Sequence, residues 1–327
     1  RYSLQSRGLG DVYKRQGVKL KPLNKTITKN AIAYSTVSVE LDRSSRMATI
    51  NITGPDTAPP ADVAAAEGLG DQFWPLRLAR ELDDALLEIR FNELEVAVVQ
   101  FKSAGDPDMV LAYDDFMDGN GKHWLMRELL LYWRRVLKRV DLTSRTLAVM
   151  AEPGSCFAGT LAELLFAADR SYMADGQFEG DNRPEATIAL GPLNFGAYPM
   201  SNGITRLETR FLGEPEAVEA AKARQGEALD ASAADELGLV TFAFDDIDWE
   251  DEVRIFLEER ASFSPDALTG MEANLRFAGP ETMETRIFGR LTAWQNWIFQ
   301  RPNAVGADGA LQRYGSGKRA DFNMERV

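Results

Sequence analysis

The stretch from Glu152 to Met173, EPGSCFAGTLAELLFAADRSYM, most narrowly limits what this chain can fold into. It follows an apolar run, Thr146-Leu-Ala-Val-Met150, whose composition predicts a buried strand. Pro153, Gly154 and Gly159 then break regular structure and permit close backbone approach. From Gly159 the period turns helical: Leu161, Leu164, Leu165 and Ala168 recur three and four apart, one face of a helix that carries a lone Glu163 in its first turns. The order is strand, glycine-containing turn, helix. Such a turn leaves N–H groups at the positive end of a helix, where a developing oxyanion could sit. The plainer reading of the same residues is a βα turn on a buried helix with Glu163 at its rim.

Composition narrows the classes of function. At 327 residues with 45% hydrophobic content the chain can bury a sizeable core. A net charge of −13 and a pI near 4.8 argue against binding nucleic acid or an anionic membrane, both of which need basic surface. A single cysteine, Cys156, excludes a disulfide framework within the chain and suits a reducing compartment, here the cytoplasm. A single histidine, His123, excludes a histidine-rich metal site, and no metal is expected. No apolar run approaches the ~20 residues of a membrane span, and no secretory pattern stands at the N-terminus.

Residues 1–16, RYSLQSRGLGDVYKRQ, are basic, lack a period and resemble a translated adaptor; the chain opens without Met, so the protein is expected to begin upstream. Residues 17–33 read as a linker. Val37, Val39 and Leu41 alternate with polar residues, and so does MATINIT (47–53) across the turn 42–46, which predicts a hairpin. Leu78, Leu82, Ala85, Leu86 and Ile89 form the buried stripe of a helix over 71–91, and EVAVVQFK (95–102) is a strand. The acidic segment 106–121 reads as a solvated loop. Its Asp118-Gly-Asn-Gly121 does not space ligands for calcium, because Lys122 takes a ligand position and no Glu closes the loop. His123 opens a helix to Val140 with a basic end (Arg134, Arg135, Lys138, Arg139), where a structural or exposed His is expected. Further helices are predicted at 204–211, 214–224, 231–237, 245–260, 264–276 and 280–300, with a strand at 239–244. Ile287, Leu291, Trp294, Trp297 and Ile298 give the last helix an apolar face suited to packing or an oligomer contact. Gly315-Ser-Gly-Lys318 in the polar tail lacks the spacing of a P-loop.

The order G-x-C-x-x-G-x-x-x-E-L-x-x-x-x-D, met here as Gly154, Cys156, Gly159, Glu163-Leu164 and Asp169, resembles the enoyl-CoA hydratase/isomerase (crotonase) superfamily, as does Leu239-Val-Thr after 231–238. The resemblance implies an α/β fold, a crotonase-like (ClpP/crotonase) spiral of ββα units with a helical C-terminal region: a core over 34–262, packing or oligomer helices over 263–300 and a polar tail over 301–327. Four runs, RELDDALLEIRFNE (80–93), the stretch 152–173, LNFGAYPM (193–200) and 262–306, are similar to the C-terminal half of one branch of the superfamily. These are lyases that open the ring of 2,3-epoxy-2,3-dihydrobenzoyl-CoA with two waters in aromatic catabolism, releasing formate and an unsaturated adipyl-CoA semialdehyde. The resemblance implies an acyl-CoA thioester substrate, no cofactor beyond the CoA that the substrate carries, an N-terminal crotonase unit of the same protein as partner, and a homo-oligomer.

In that frame Glu163 stands at the first crotonase acid position, Gly159 and Thr160 form the oxyanion turn, and Cys156 lies beside it as a further candidate. The departures are specific. The three-glycine turn has become Ala158-Gly159-Thr160, Pro192 holds the place of a second acid, and Val110-Leu-Ala-Tyr113 replaces the loop that supplies the other oxyanion N–H. Adding water beside a thioester needs a proton acceptor, a donor and two aimed N–H groups. The expectation is therefore a half that is mainly structural, whose full-length protein is the enzyme. A self-sufficient acyl-CoA hydratase or isomerase and a non-catalytic assembly domain are the competing readings.

Overall fold

The computed structural model describes residues 17–326; the expected adaptor segment 1–16 lies outside the described residues. Eight strands form one sheet in chain order: β1 (Thr26–Ile27), β2 (Ala31–Ala33), β3 (Val37–Asp42), β4 (Met47–Thr53), β5 (Val98–Ala104), β6 (Thr146–Ala151), β7 (Arg170–Ala174) and β8 (Phe242–Phe244). β1 to β4 pair antiparallel and β4 to β8 pair parallel. The sequence pattern explains the division. The hairpin strands β3 and β4 bury every second residue (Val37, Val39, Leu41; Ala48, Ile50, Ile52), as a sheet with one wetter face requires. β6 is buried along its whole length, as a strand covered on both faces must be.

Parallel neighbours need crossovers, and helices supply them. Between β4 and β5 lie α1 (Val63–Leu69) and α2 (Trp74–Asn92); between β5 and β6 lie α3 (Pro107–Gly119) and α4 (Trp124–Asp141); α5 (Gly159–Ala167) joins β6 to β7. α6 (Arg206–Arg210), α7 (Pro215–Ala223) and α8 (Ala231–Glu236) precede β8. α2 and α4 pack together, tied by a hydrogen bond from Trp133 Nε1 to the Pro75 carbonyl at 3.1 Å. After β8, α9 (Asp246–Ala261) and α10 (Pro265–Leu275) return beneath the strand starts. Arg260 donates to Thr146 Oγ1 at 2.8 Å, and Arg276 pairs with Asp169 at 2.6 Å, which anchors this return to β6 and to the entry of β7.

Four expectations change. The segment 17–33, read as a linker, carries β1 and β2, which extend the antiparallel edge of the sheet. The segment 106–121, read as a loop, is mostly α3. Asp106 caps it by accepting from the Asp108 N–H, Pro107 opens it, and Val110, Tyr113, Asp114 and Met117 form its buried stripe. The acidic content hid a helical period in which one of the buried positions is itself an aspartate. The tail 301–326 is tied back: Asn303 exchanges two hydrogen bonds with the Asn323 backbone, at 2.9 and 2.8 Å, and Arg326 N–H reaches the Leu94 carbonyl. The predicted helix 280–300 becomes α11 (Met283–Arg286), a π-helical stretch Ile287–Leu291 and α12 (Thr292–Ile298). Its apolar side borders a cavity of about 700 Å³ lined by Phe263, Leu291, Ile298, Phe299, Leu311 and Phe322 among others.

If 107–119 is a packed helix rather than a loop, its cap and its core residues must both matter. Asp106→Ala is expected to cost about 1 kcal/mol and Met117→Ala about 2–5 kcal/mol, read by urea denaturation; a loop would leave both near neutral.

Candidate functional site

The site is built where β6 ends and α5 begins. Gly154 (φ +75°) and Gly159 (φ +47°) take backbone conformations that favour glycine, and they fold the turn back onto its neighbours. At the start of α5 every early N–H has an acceptor. Gly159 donates to the Ala189 carbonyl at 2.9 Å, Leu161 to the Ala158 carbonyl at 2.9 Å, and Thr160 to Asp114 Oδ2. The Thr160 hydroxyl donates to Asp114 Oδ1 at 2.7 Å and lies 2.9 Å from the Tyr198 hydroxyl. The two residues expected to form an oxyanion turn thus direct their N–H groups to internal acceptors.

Glu163 sits one turn further along α5 and is 1% exposed. Its Oε1 accepts from Asn194 Nδ2 at 2.7 Å and its Oε2 from Arg206 Nη1 at 2.9 Å. Arg206 also grips Asp141 with Nε at 3.0 Å and Nη2 at 2.7 Å, and donates to the Tyr198 carbonyl. Asn194 is held in turn, accepting from the Gly191 N–H and donating to the Gly159 carbonyl. Burial raises the Glu163 pKa above its ordinary value, opposed by the pull of Arg206 and Asn194. A carboxylate with both oxygens engaged and no solvent contact is poorly placed to exchange a proton with a bound substrate.

Cys156 is fully buried against Gly54 and Gly105, and burial pushes its thiol up to about 11, so the thiolate that a nucleophile needs is disfavoured. Pro192 opens a short 3-10 turn, Pro192–Phe195, that delivers Asn194 to Glu163. Val110 to Tyr113 lie within α3, immediately before Asp114. His123 flanks α4, with Nε2 3.4 Å from Glu67, away from this cluster. Among the described residues no cluster of His, Cys, Asp and Glu is arranged to hold a metal ion, and no helix is long and apolar enough to cross a membrane.

Sequence reasoning missed Asp114, Tyr198, Asn194, Arg206 and Asp141. Asp114 was hidden in a segment taken for a loop. Arg206 and Asp141 are ordinary helix-end residues in sequence, and only the tertiary fold sets them against Glu163. The signal that could have found Asp114 is the spacing Val110, Asp114, Met117, an acid inside an apolar helical stripe.

Solved structures with this architecture include enoyl-CoA hydratases. An enoyl-CoA hydratase from Bacillus anthracis superposes with a TM-score of 0.59 at 17% identity, covering 89% of this chain and 100% of that one. An enoyl-CoA hydratase/isomerase from Cupriavidus metallidurans CH34 superposes at 0.59 with 19% identity, covering 90% and 98%. The chain therefore has the crotonase-like α/β fold, with a helical C-terminal region. In sequence it is similar to the benzoyl-CoA-dihydrodiol lyase of Aromatoleum evansii, 50% identical over 312 residues, which make up 95% of this chain and 55% of that protein. The chain thus spans about half the length of the curated relative it matches. No protein-family model matches the chain.

Asp114 gives the cluster a pH signature. Burial pushes its carboxyl up to about 7, although both Thr160 donors pull it down. The folded state therefore binds this proton more tightly than the unfolded chain does. The stability that results is complete below the unfolded pKa of about 4 and is lost as pH rises through 7. Asp114→Asn is expected to flatten the fall in unfolding free energy between pH 4 and 7, by up to about 1.4 kcal/mol per pH unit. Urea titrations of both proteins across that range check it.

Proposed function

We propose that this chain is the C-terminal portion of a benzoyl-CoA-dihydrodiol lyase and that its role in that enzyme is mainly structural. The observation that carries the reading is the 50% identity that runs through 95% of the chain while covering 55% of the relative. The reaction assigned to the whole protein is ring opening of 2,3-epoxy-2,3-dihydrobenzoyl-CoA: two waters add, one carbon leaves as formate, and an unsaturated adipyl-CoA semialdehyde remains as its thioester. In this proposal CoA enters as part of the substrate, no further cofactor takes part, and the enzyme works as a cytoplasmic homo-oligomer.

The division of labour within the protein follows from the site. Hydration beside a thioester carbonyl requires a free acid–base pair and donors aimed at the enolate oxygen. Here Glu163 is held by Arg206 and Asn194, Thr160 by Asp114, and the Gly159 N–H by Ala189. Those pairings support a packing unit for a catalytic N-terminal half, and they weigh against a self-sufficient hydratase or isomerase. The apolar side of 283–298, where Met283 is 70% and Phe288 73% exposed, suits a contact within the assembled protein.

The test is formate release from the epoxidised thioester. The chain is assayed alone, and then co-expressed with the remaining half of a full-length dihydrodiol lyase. The expected outcome is turnover in the two-part assembly and none above background for the chain alone. Formate released by the chain alone would overturn the structural reading.

A further inference from the structure

Asp114 is a buried acid that the proposed division of labour leaves without a task. It is 1% exposed, and its partners are the Thr160 N–H and hydroxyl rather than a cation. Charged groups face it from the elements around it: Asp115 on its own helix, Glu163 on α5, and Arg206 on α6 behind Glu163. Two of these are negative, and the positive one is already shared between Glu163 and Asp141. A carboxyl group in such surroundings is costly to bury unless the structure is shaped to receive it.

The structure is shaped in that way. Gly159 opens α5 at φ +47°, and a Cβ there would fall 2.0 Å from Asp114 Oδ2. Gly191 leaves the other side clear: a Cβ there would come 3.2 Å from Leu111 Cδ2 and 3.9 Å from the same carboxyl oxygen. The donors converge in series. The Thr160 hydroxyl has one proton, and when Asp114 is ionised it goes to Oδ1, which leaves Thr160 Oγ1 to accept from the Tyr198 hydroxyl. When Asp114 is protonated the same hydroxyls rotate and the chain runs the other way, so the seat stays filled in both states. The start of α5 adds its positive end.

We propose that Asp114 is the resident carboxyl group of this turn: it occupies the Thr160 N–H and hydroxyl at the start of α5 from within, locks α3 onto α5, and closes those two donors to any external carboxylate or enolate. The inference rests on the reading that this chain is not itself the catalytic half. Its test uses no turnover, so the two can fail separately.

Asp114→Gly empties the seat and leaves the donors in place. The experiment is thermal unfolding of the wild-type chain and of this variant near pH 6.5, in sodium formate or acetate against sodium chloride at matched ionic strength. The expected result is a lowered Tm for the variant that either small carboxylate raises saturably and chloride does not, with no such effect on the wild type. A variant that melts with the wild type, or one that gains nothing specific from the carboxylates, overturns the proposal. If Asp114→Gly does not fold in any of these buffers, Asp114→Ala, which keeps helix propensity in α3, decides by amide hydrogen exchange. Removing both acceptor oxygens is expected to speed exchange at Thr160 at least tenfold relative to the wild type, and an unchanged rate overturns the proposal.

Discussion

One guanidinium, that of Arg206, holds together the elements on which the candidate site stands. It reaches Asp141 at the end of α4, Glu163 in α5 and the Tyr198 carbonyl, and all three side chains of this ionic cluster are within 2% of full burial. Two carboxylates share one cation in a fully buried place, so neither is free to serve as a base without breaking the arrangement that holds the helices together. Such a cluster is weak evidence for net stability, because desolvation opposes the Coulombic gain. It is strong evidence for a fixed geometry, since removing the cation would leave two buried charges uncompensated. At this turn the Gly159 and Thr160 N–H groups and the Glu163 carboxylate are all engaged by internal partners.

Much of the fold was legible in the sequence for a simple reason: the sheet is built from patterns of period two and from runs buried on both faces. The hairpin at 37–53 and the buried strand at 146–151 follow directly from those patterns. The long helices α2 and α4 follow from apolar stripes at helical spacing. What escaped was α3, because an aspartate-rich segment resembles solvent-facing loop. Its buried face carries Asp114 where a hydrophobic residue would have announced the helix. The short edge strands β1 and β2 also escaped, since two or three residues are too few to show a period.

The candidate site was only half legible. Glu163, Gly159, Thr160 and Cys156 lie together at one turn, as their spacing suggests, but their partners come from distant segments. No local pattern says that Arg206 will face Glu163 across 43 positions of sequence, or that Asp114 will meet Thr160 across 46. A residue's place in a motif does not fix its environment, and environment decides whether a carboxylate is a base or a strut.

The measurement that bears most directly on this account is turnover of Glu163→Gln in the assembled, full-length enzyme, with unfolding followed on the same sample. If Glu163 is a strut for Arg206, kcat and its pH profile stay within about twofold of the wild type while the unfolding midpoint shifts. A loss of kcat of about a hundredfold or more, in a protein that remains folded and assembled, would contradict the account and return Glu163 to the chemistry.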